Sequence, residues 1–556
     1  GASVKGDISL TVKSGEVENL VGGGRGGVHV GNTSITVENG SVSNIYGGDQ
    51  FGGKVEGDIN ISVKGGKVGT IYGSNYSSNT PNAEIFNGVS GDVTIDISGG
   101  EVNHIRGGIN SNNAGDVAIA KQKMVLNGDV VINVGGDAHI GAYDGESILA
   151  TGGSYASVNG TTTVNVSNNA VVDGIIAGGA SRTDESGVKS SNINISGGTL
   201  NGNVYAGGLK YSSVSGNTAV NISGGEINAD VYGGGGASWP SVIKGNSNIT
   251  LVGNATVGGT ITGTGWNSEY DIVKGVKTLN LGTSEQAYNG TSVLKVANFD
   301  KINVSAGSSA ELFEYAQSDG GTAINIASNS SLSIVLGSAA DQLLKTGVAN
   351  DGTFSLKRGS LADGASVALS SYTGAGAVNA FGGTFSKGVF TAGNTAVIPQ
   401  APSGITVGTG DDDVASVRYM SGENTTLRLD FNVANMGKKE ILINSISETA
   451  DTAGISGEVK AAYLIDAEYD QSGEWTVVFS AYVGDVELSN LMAWHKSEGG
   501  VWDIYDTDIE YNDGFASFTV DSLGSYAISQ VPEPAGIAAL LGAVVLAFAA
   551  YRRKRG

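Results

Sequence analysis

In a chain without cysteine, the four histidines, His29, His104, His139 and His495, are the side chains best suited to acid–base or metal chemistry. None stands in an HExxH frame or another metal-ligand spacing. The missing cysteines exclude disulfides, thiol nucleophiles and thiolate-bound metals. No serine in a Gly-x-Ser-x-Gly frame has a strand–elbow–helix context, and no P-loop occurs. His104 and His139 fall near equivalent positions of a repeat, where they could stack; the plainer expectation is a pair of exposed strand residues.

Carboxylates come next, because polysaccharide lyases and glycosidases need paired acids or acids arranged around calcium. Glu101 and Asp137 each follow a Gly pair in successive repeat copies, with Lys67 before them in the same column. Stacking could bring the two acids together; the alternative is a solvated ladder of mixed charge. Asp7, Asp58, Asp92 and Asp129, with Asn32, Asn217 and Asn246, form another column at a strand entrance. Asx side chains there can bond nearby backbone amides, so this reads as a structural ladder, with weak calcium binding as the alternative. GTGDDDV, with Asp411, Asp412 and Asp413, is the densest acid run and reads as a solvated loop. In DIYDTDIEYNDG, strand alternation would point acids outward and aromatics inward. No catalytic residue, metal site or cofactor is expected.

Tyr46, Tyr72, Tyr205 and Tyr232 occupy the same repeat position before the glycine turn and directly follow an inward Ile or Val. Alternation then turns the rings outward, and an open row could stack on sugar rings. A ladder covered by insertions is the structural alternative. Arg106 and Ala177 interrupt the row.

What must position these residues is a repeat. GDISLTVKSGEVENLVGG, GNTSITVENGSVSNIYGG, GDINISVKGGKVGTIYG and GDVTIDISGGEVNHIRGG are four of nine copies in residues 1–281. Apolar residues alternate after each start: Leu10 and Val12, Ile35 and Val37, Ile61 and Val63, Ile95 and Ile97. Period two with β-branched residues means a strand with one buried face. One copy cannot bury that face alone, so stacked copies are predicted: an all-β chain opening with a parallel β-helix, or β-solenoid. The insertions 74–89 and 181–189 should loop out from the turns. Residues 282–402 read as degenerate coils and linker. Residues 403–530 carry 22 acidic and 6 basic residues and three of the five Trp, with strand signals at the spacing of a β-sandwich. The net charge of −23 argues against a nucleic-acid partner. The opening at Gly1, inside the repeat pattern, reads as a processed or truncated N-terminus.

The chain closes on Val531, Pro532, Glu533 and Pro534, then an uncharged run over 535–551, then Arg552, Arg553, Lys554 and Arg555. Such a run has the length of a short transmembrane helix, and the basic tail favours the cytoplasmic side. In that order the three elements resemble the PEP-CTERM sorting signal of Gram-negative bacteria. The resemblance implies an exosortase-type transpeptidase as partner, an inner-membrane anchor through 535–551, and delivery to the cell envelope, cell surface or extracellular matrix. The nine copies also resemble autotransporter and adhesin β-helical passengers, although no outer-membrane barrel follows them. Together these features predict a non-enzymatic surface or matrix scaffold, adhesin-like, with glycans or exopolysaccharide as ligands. The competing class is a secreted β-helical polysaccharide lyase or glycoside hydrolase.

Overall fold

The computed structural model describes residues 3–530 apart from internal stretches, of which 78–87, 112–124 and 433–440 are the longest. Every regular element among the described residues is a β-strand. The chain divides into two compact units, the first made of residues 1–334, 342–353 and 369–375.

In the first unit the alternating runs are strands Ile8–Val12, Thr33–Val37, Ile59–Val63, Val93–Ile97 and Val130–Val134. They pair in parallel and in register, with Ile35 opposite Ile61, Ile61 opposite Ile95, and Ile95 opposite Ile132. Ile61, Ile95 and Ile132 are at most 1% exposed, so each contributes about 1.5–3 kcal/mol of burial. The same column passes through Val164, Ile193, Val220 and Ile249. It then continues beyond the nine predicted copies through Leu279, Ile302, Ile324, Val348 and Tyr372, fourteen strands in all. The loosened sequence past Leu281 thus keeps the register while its turns change. This long parallel stack is consistent with a β-solenoid.

Each early coil has three strand positions. A short strand such as Lys54–Glu56 precedes Ile59–Val63, and Lys67–Tyr72 follows it. The turn between the last two needs a positive φ, and glycine supplies it: Gly66 sits at +82° and Gly100 at +83°. Glycine also sets how closely coils approach. A Cβ on Gly73 would lie 1.8 Å from the carbonyl oxygen of Gly107 in the next coil.

The second unit holds residues 335–341, 354–368 and 376 onward. One antiparallel sheet runs in the order 405–407, 441–448, 458–469, 525–530, 491–496 and 502–506. A second antiparallel run joins Asn424–Phe431, Val477–Tyr482 and Phe515–Val520. Leu429 and Phe479 from one layer share a core with Ile443 and Tyr526 from the other. Alternation explains this, since Leu427 and Leu429, or Val477 and Phe479, point to one side.

No helix among the described residues is long and apolar enough to cross a membrane. The expected span 535–551 and sorting elements Val531–Pro534 and Arg552–Arg555 lie outside the described residues, as does most of both predicted insertions.

Candidate functional site

The strand-entrance column is a ladder of side chain to backbone bonds. Asp7 Oδ1 accepts from the amide of Asn32 at 2.8 Å, Asn32 Oδ1 from Asp58 at 2.9 Å, and Asp58 Oδ1 from Asp92 at 2.9 Å. Asp92 Oδ1 takes the Asp129 amide at 2.8 Å, and Asn217 Oδ1 takes that of Asn246 at 2.8 Å. A second ladder went unread in the sequence. The residue between the two inward apolar positions is Asn in four successive coils: Asn133, Asn165, Asn194 and Asn221. Each Nδ2 donates to the Oδ1 one coil earlier, at 2.7 Å from Asn165, 2.8 Å from Asn194 and 2.9 Å from Asn221. Its signal was visible in VVINV, TTVNV, NINIS and AVNIS.

Glu101 and Asp137 are not neighbours in the same column. The register sets Glu101 against Lys67 on one side and His139 on the other, because the turn at Gly135 and Gly136 is one residue longer. Lys67 Nζ is 2.8 Å from Glu101 Oε2, on open surface, and its hydrogen bond holds the Glu101 carboxyl below its ordinary range. Asp137 instead accepts from Asn169 Nδ2 at 3.1 Å. His139 Nε2 lies 2.6 Å from Asp173 Oδ2. Burial acts to raise the Asp173 carboxyl, but hydrogen bonds from His139 and Asn201 outweigh it and leave it lowered.

His104 does not stack on His139 and is not exposed. Its register partner is Thr70, and 1% of its surface is accessible. The hairpin that pairs Tyr143 with Glu146 covers it, with the Tyr143 ring 6.2 Å away and edge-on. No hydrogen-bond partner reaches its Nε2. Burial, with the Arg106 charge in addition, pushes the imidazole down to about 3. His29 is also buried, and its Nε2 donates to the carbonyl of Gly6 in the preceding coil at 3.0 Å. His495 packs on Tyr526 with ring centres 4.8 Å apart, and burial lowers its pKa.

The tyrosines form two short ladders. Tyr46 and Tyr72 stack at 5.0 Å, and Tyr205 and Tyr232 at 4.8 Å. Tyr46, Tyr205 and Tyr232 are buried and Tyr72 half-buried, so the rings are covered. Tyr76 leans against the first pair; Leu149, Ala177 and Leu209 pack around the second. The phenols are tied down locally, Tyr232 Oη donating to Asp230 at 2.8 Å and Tyr205 Oη accepting from Asn203 at 3.1 Å. Burial raises the Tyr72 phenol to about 12.

Asp49 shows what the buried acid of this unit does. It is 1% exposed, and its carboxylate takes the amides of Gly26, Phe51 and Gly53 at 2.7–2.9 Å. This pins a turn between coils. Asp411, Asp412 and Asp413 lie outside the described residues. Within DIYDTDIEYNDG, Asp503 and Glu510 are exposed, while Trp502 and Tyr505 pack into different clusters, being three apart on a strand. Among the described residues no group of three His, Asp or Glu side chains is placed to hold a metal ion. Compared with protein-family models, with curated proteins and with solved structures, the chain matches none.

Proposed function

We propose that the chain is a non-enzymatic exported surface or extracellular-matrix protein. Its β-solenoid is a scaffold presenting a repetitive polar face, adhesin-like, and a β-sandwich joins that scaffold to a PEP-CTERM-like signal at the C-terminal end. One observation carries the scaffold reading. The Asp and Asn side chains at the strand entrances are engaged with their counterparts in adjacent coils, as in the Asp7–Asn32–Asp58–Asp92 ladder. A glycosidase needs two carboxyl groups flanking a bound sugar. Glu101 is instead paired with Lys67 on open surface. The sorting reading rests on the order of Val531–Pro534, the apolar run and Arg552–Arg555.

The deciding experiment incubates the chain with a panel of polysaccharides. Release of unsaturated or reducing sugar ends would overturn the scaffold reading. A second measurement removes residues 531–556 and locates the product. Loss of envelope retention is expected, and unchanged retention would sink the anchor.

A further inference from the structure

The short strands of the coils align Val158, Val188, Val214, Ile243 and Val273 in one inward column. The residue after each of these points to solvent: Asn159, Lys189, Ser215, Lys244 and Lys274, all exposed. Three lysines thus project from a span of four coils. Lys244 and Lys274 stand about 4.8 Å apart along the stack, and Lys189 stands two coils from Lys244. Like charges in register repel each other and destabilise a sheet. Some lysines of the stack sit beside an acid, as Lys67 does with Glu101, Lys277 with Asp300 and Lys295 with Glu314, while others, such as Lys13, Lys64 and Lys301, stand singly among the described residues. No ion pair is formed by Lys189, Lys244 or Lys274 among the described residues.

The same strip borders an open groove of about 370 Å³, lined by Ser157, Asn159, Lys189, Ser213, Ser215 and Lys244. Its walls offer hydroxyls, an amide and ammonium groups. We infer that this strip binds a linear anionic polysaccharide lying along the stacking direction, with the lysines on its carboxylate or sulfate groups and the serines and asparagine on its sugar hydroxyls. The inference rests on the matrix reading and names its ligand class. Charge complementarity selects the occupant: a row of unneutralised cations is relieved by a chain with regularly spaced anions. Three cations are fewer than the phosphate contacts with which duplex nucleic acid is held tightly.

The test measures binding of the full chain to polygalacturonate, dextran sulfate, neutral dextran and a single-stranded oligonucleotide. Three proteins are compared: the native chain, one carrying Lys189→Ser, Lys244→Ser and Lys274→Ser, and one carrying Lys13→Ser, Lys64→Ser and Lys301→Ser. The second triple makes the same change in net charge elsewhere on the stack. The native chain should bind a polyanion at about 50 mM salt and weaken towards about 200 mM. The strip triple should lose about tenfold in affinity or more, and the control triple less than about twofold. Lys→Arg at the three strip positions should retain binding. If the strip triple does not fold, Lys244→Ser alone gives the same comparison with a smaller loss. Preference between polygalacturonate and dextran sulfate identifies carboxylate or sulfate as the group bound. Failure to bind either polyanion would overturn the site. So would equal loss in both triples, equal binding of neutral dextran, or tighter capture of the oligonucleotide. Cleavage of the bound polymer would overturn the scaffold reading instead and leave the site standing.

Discussion

In the stack of coils, a side chain's usual partner is its own counterpart, as when Asn194 donates to Asn165 29 residues earlier. In the C-terminal unit the partner is an unrelated residue. Trp494 Nε1 donates to Ser529 Oγ, and Ser529 Oγ donates to the carbonyl of Ser456, 73 residues away. The cores differ in the same way. The stack is filled by aliphatic columns, whereas Phe479 meets Phe518 at 5.0 Å and Tyr526 at 5.4 Å. A stack is held by nearest-neighbour terms, so damage should stay local. A small domain with one core unfolds as a whole, so damage there should be felt throughout.

The largest expected effect tests the second half of that contrast. Phe479→Ala should cost about 3–5 kcal/mol. Trp475, Trp494 and Trp502 fluorescence should then report one earlier transition, with the calorimetric signal of the coil stack unmoved. Separate transitions for the three tryptophans would break the comparison. Next, Ile95→Ala should cost about 2–5 kcal/mol, felt by its own coil and its neighbours. Hydrogen exchange should accelerate in Ile59–Val63, Val93–Ile97 and Val130–Val134, and not in Lys301–Val304. Acceleration throughout the stack would show that it behaves like the other unit.

A smaller effect concerns His104. Its native pKa of about 3 lies below the unfolded value of about 6.5. Between those values the unfolded chain takes up a proton that the native coil refuses. Stability therefore falls as pH drops through this window, by at most about 1.4 kcal/mol per pH unit, and the contribution is constant above it. His104→Leu should remove that slope from acid unfolding of the neighbouring coils; an unchanged slope would place the imidazole in water. The smallest effect is in the entrance ladder. Asp92→Ala should cost about 0.5–1.5 kcal/mol, while Asp92→Asn should be nearly neutral, because Asn32 already serves as an acceptor there. Melting temperatures of the two variants sharpen how much each rung contributes.

Much of the stack could be read from alternation. Leu10, Ile35, Ile61 and Ile95 declare a buried face, and the Gly pairs mark the turn that Gly66 and Gly100 make. The Asx column was legible because its residues share both a type and a position. Register through a turn of changed length was not: the Gly pair after Val134 starts one residue earlier than the one after Ile97 and the turn is one residue longer, so Glu101 meets His139 and not the expected Asp137. Cover was equally illegible. Period two correctly turned Tyr46 away from Ile45, but whether that side meets water depends on Tyr76, which belongs to no repeated position. Alternation sets His104 outward beside the inward Ile105, in the column of Asn44 and Thr70, and its burial, with the Tyr143 ring edge-on beside it, could not be read from that position.

The entrance ladder has one more consequence, for how such a chain can change length. Each rung offers an oxygen to the coil ahead and an amide to the coil behind, so all rungs have the same two ends. Excising residues 58–91 as a block would bring the Asp92 amide to the Asn32 oxygen now occupied by Asp58. Gene duplication or loss of one coil therefore needs no compensating substitution at the joint, and reach becomes a property that drifts in whole-coil steps.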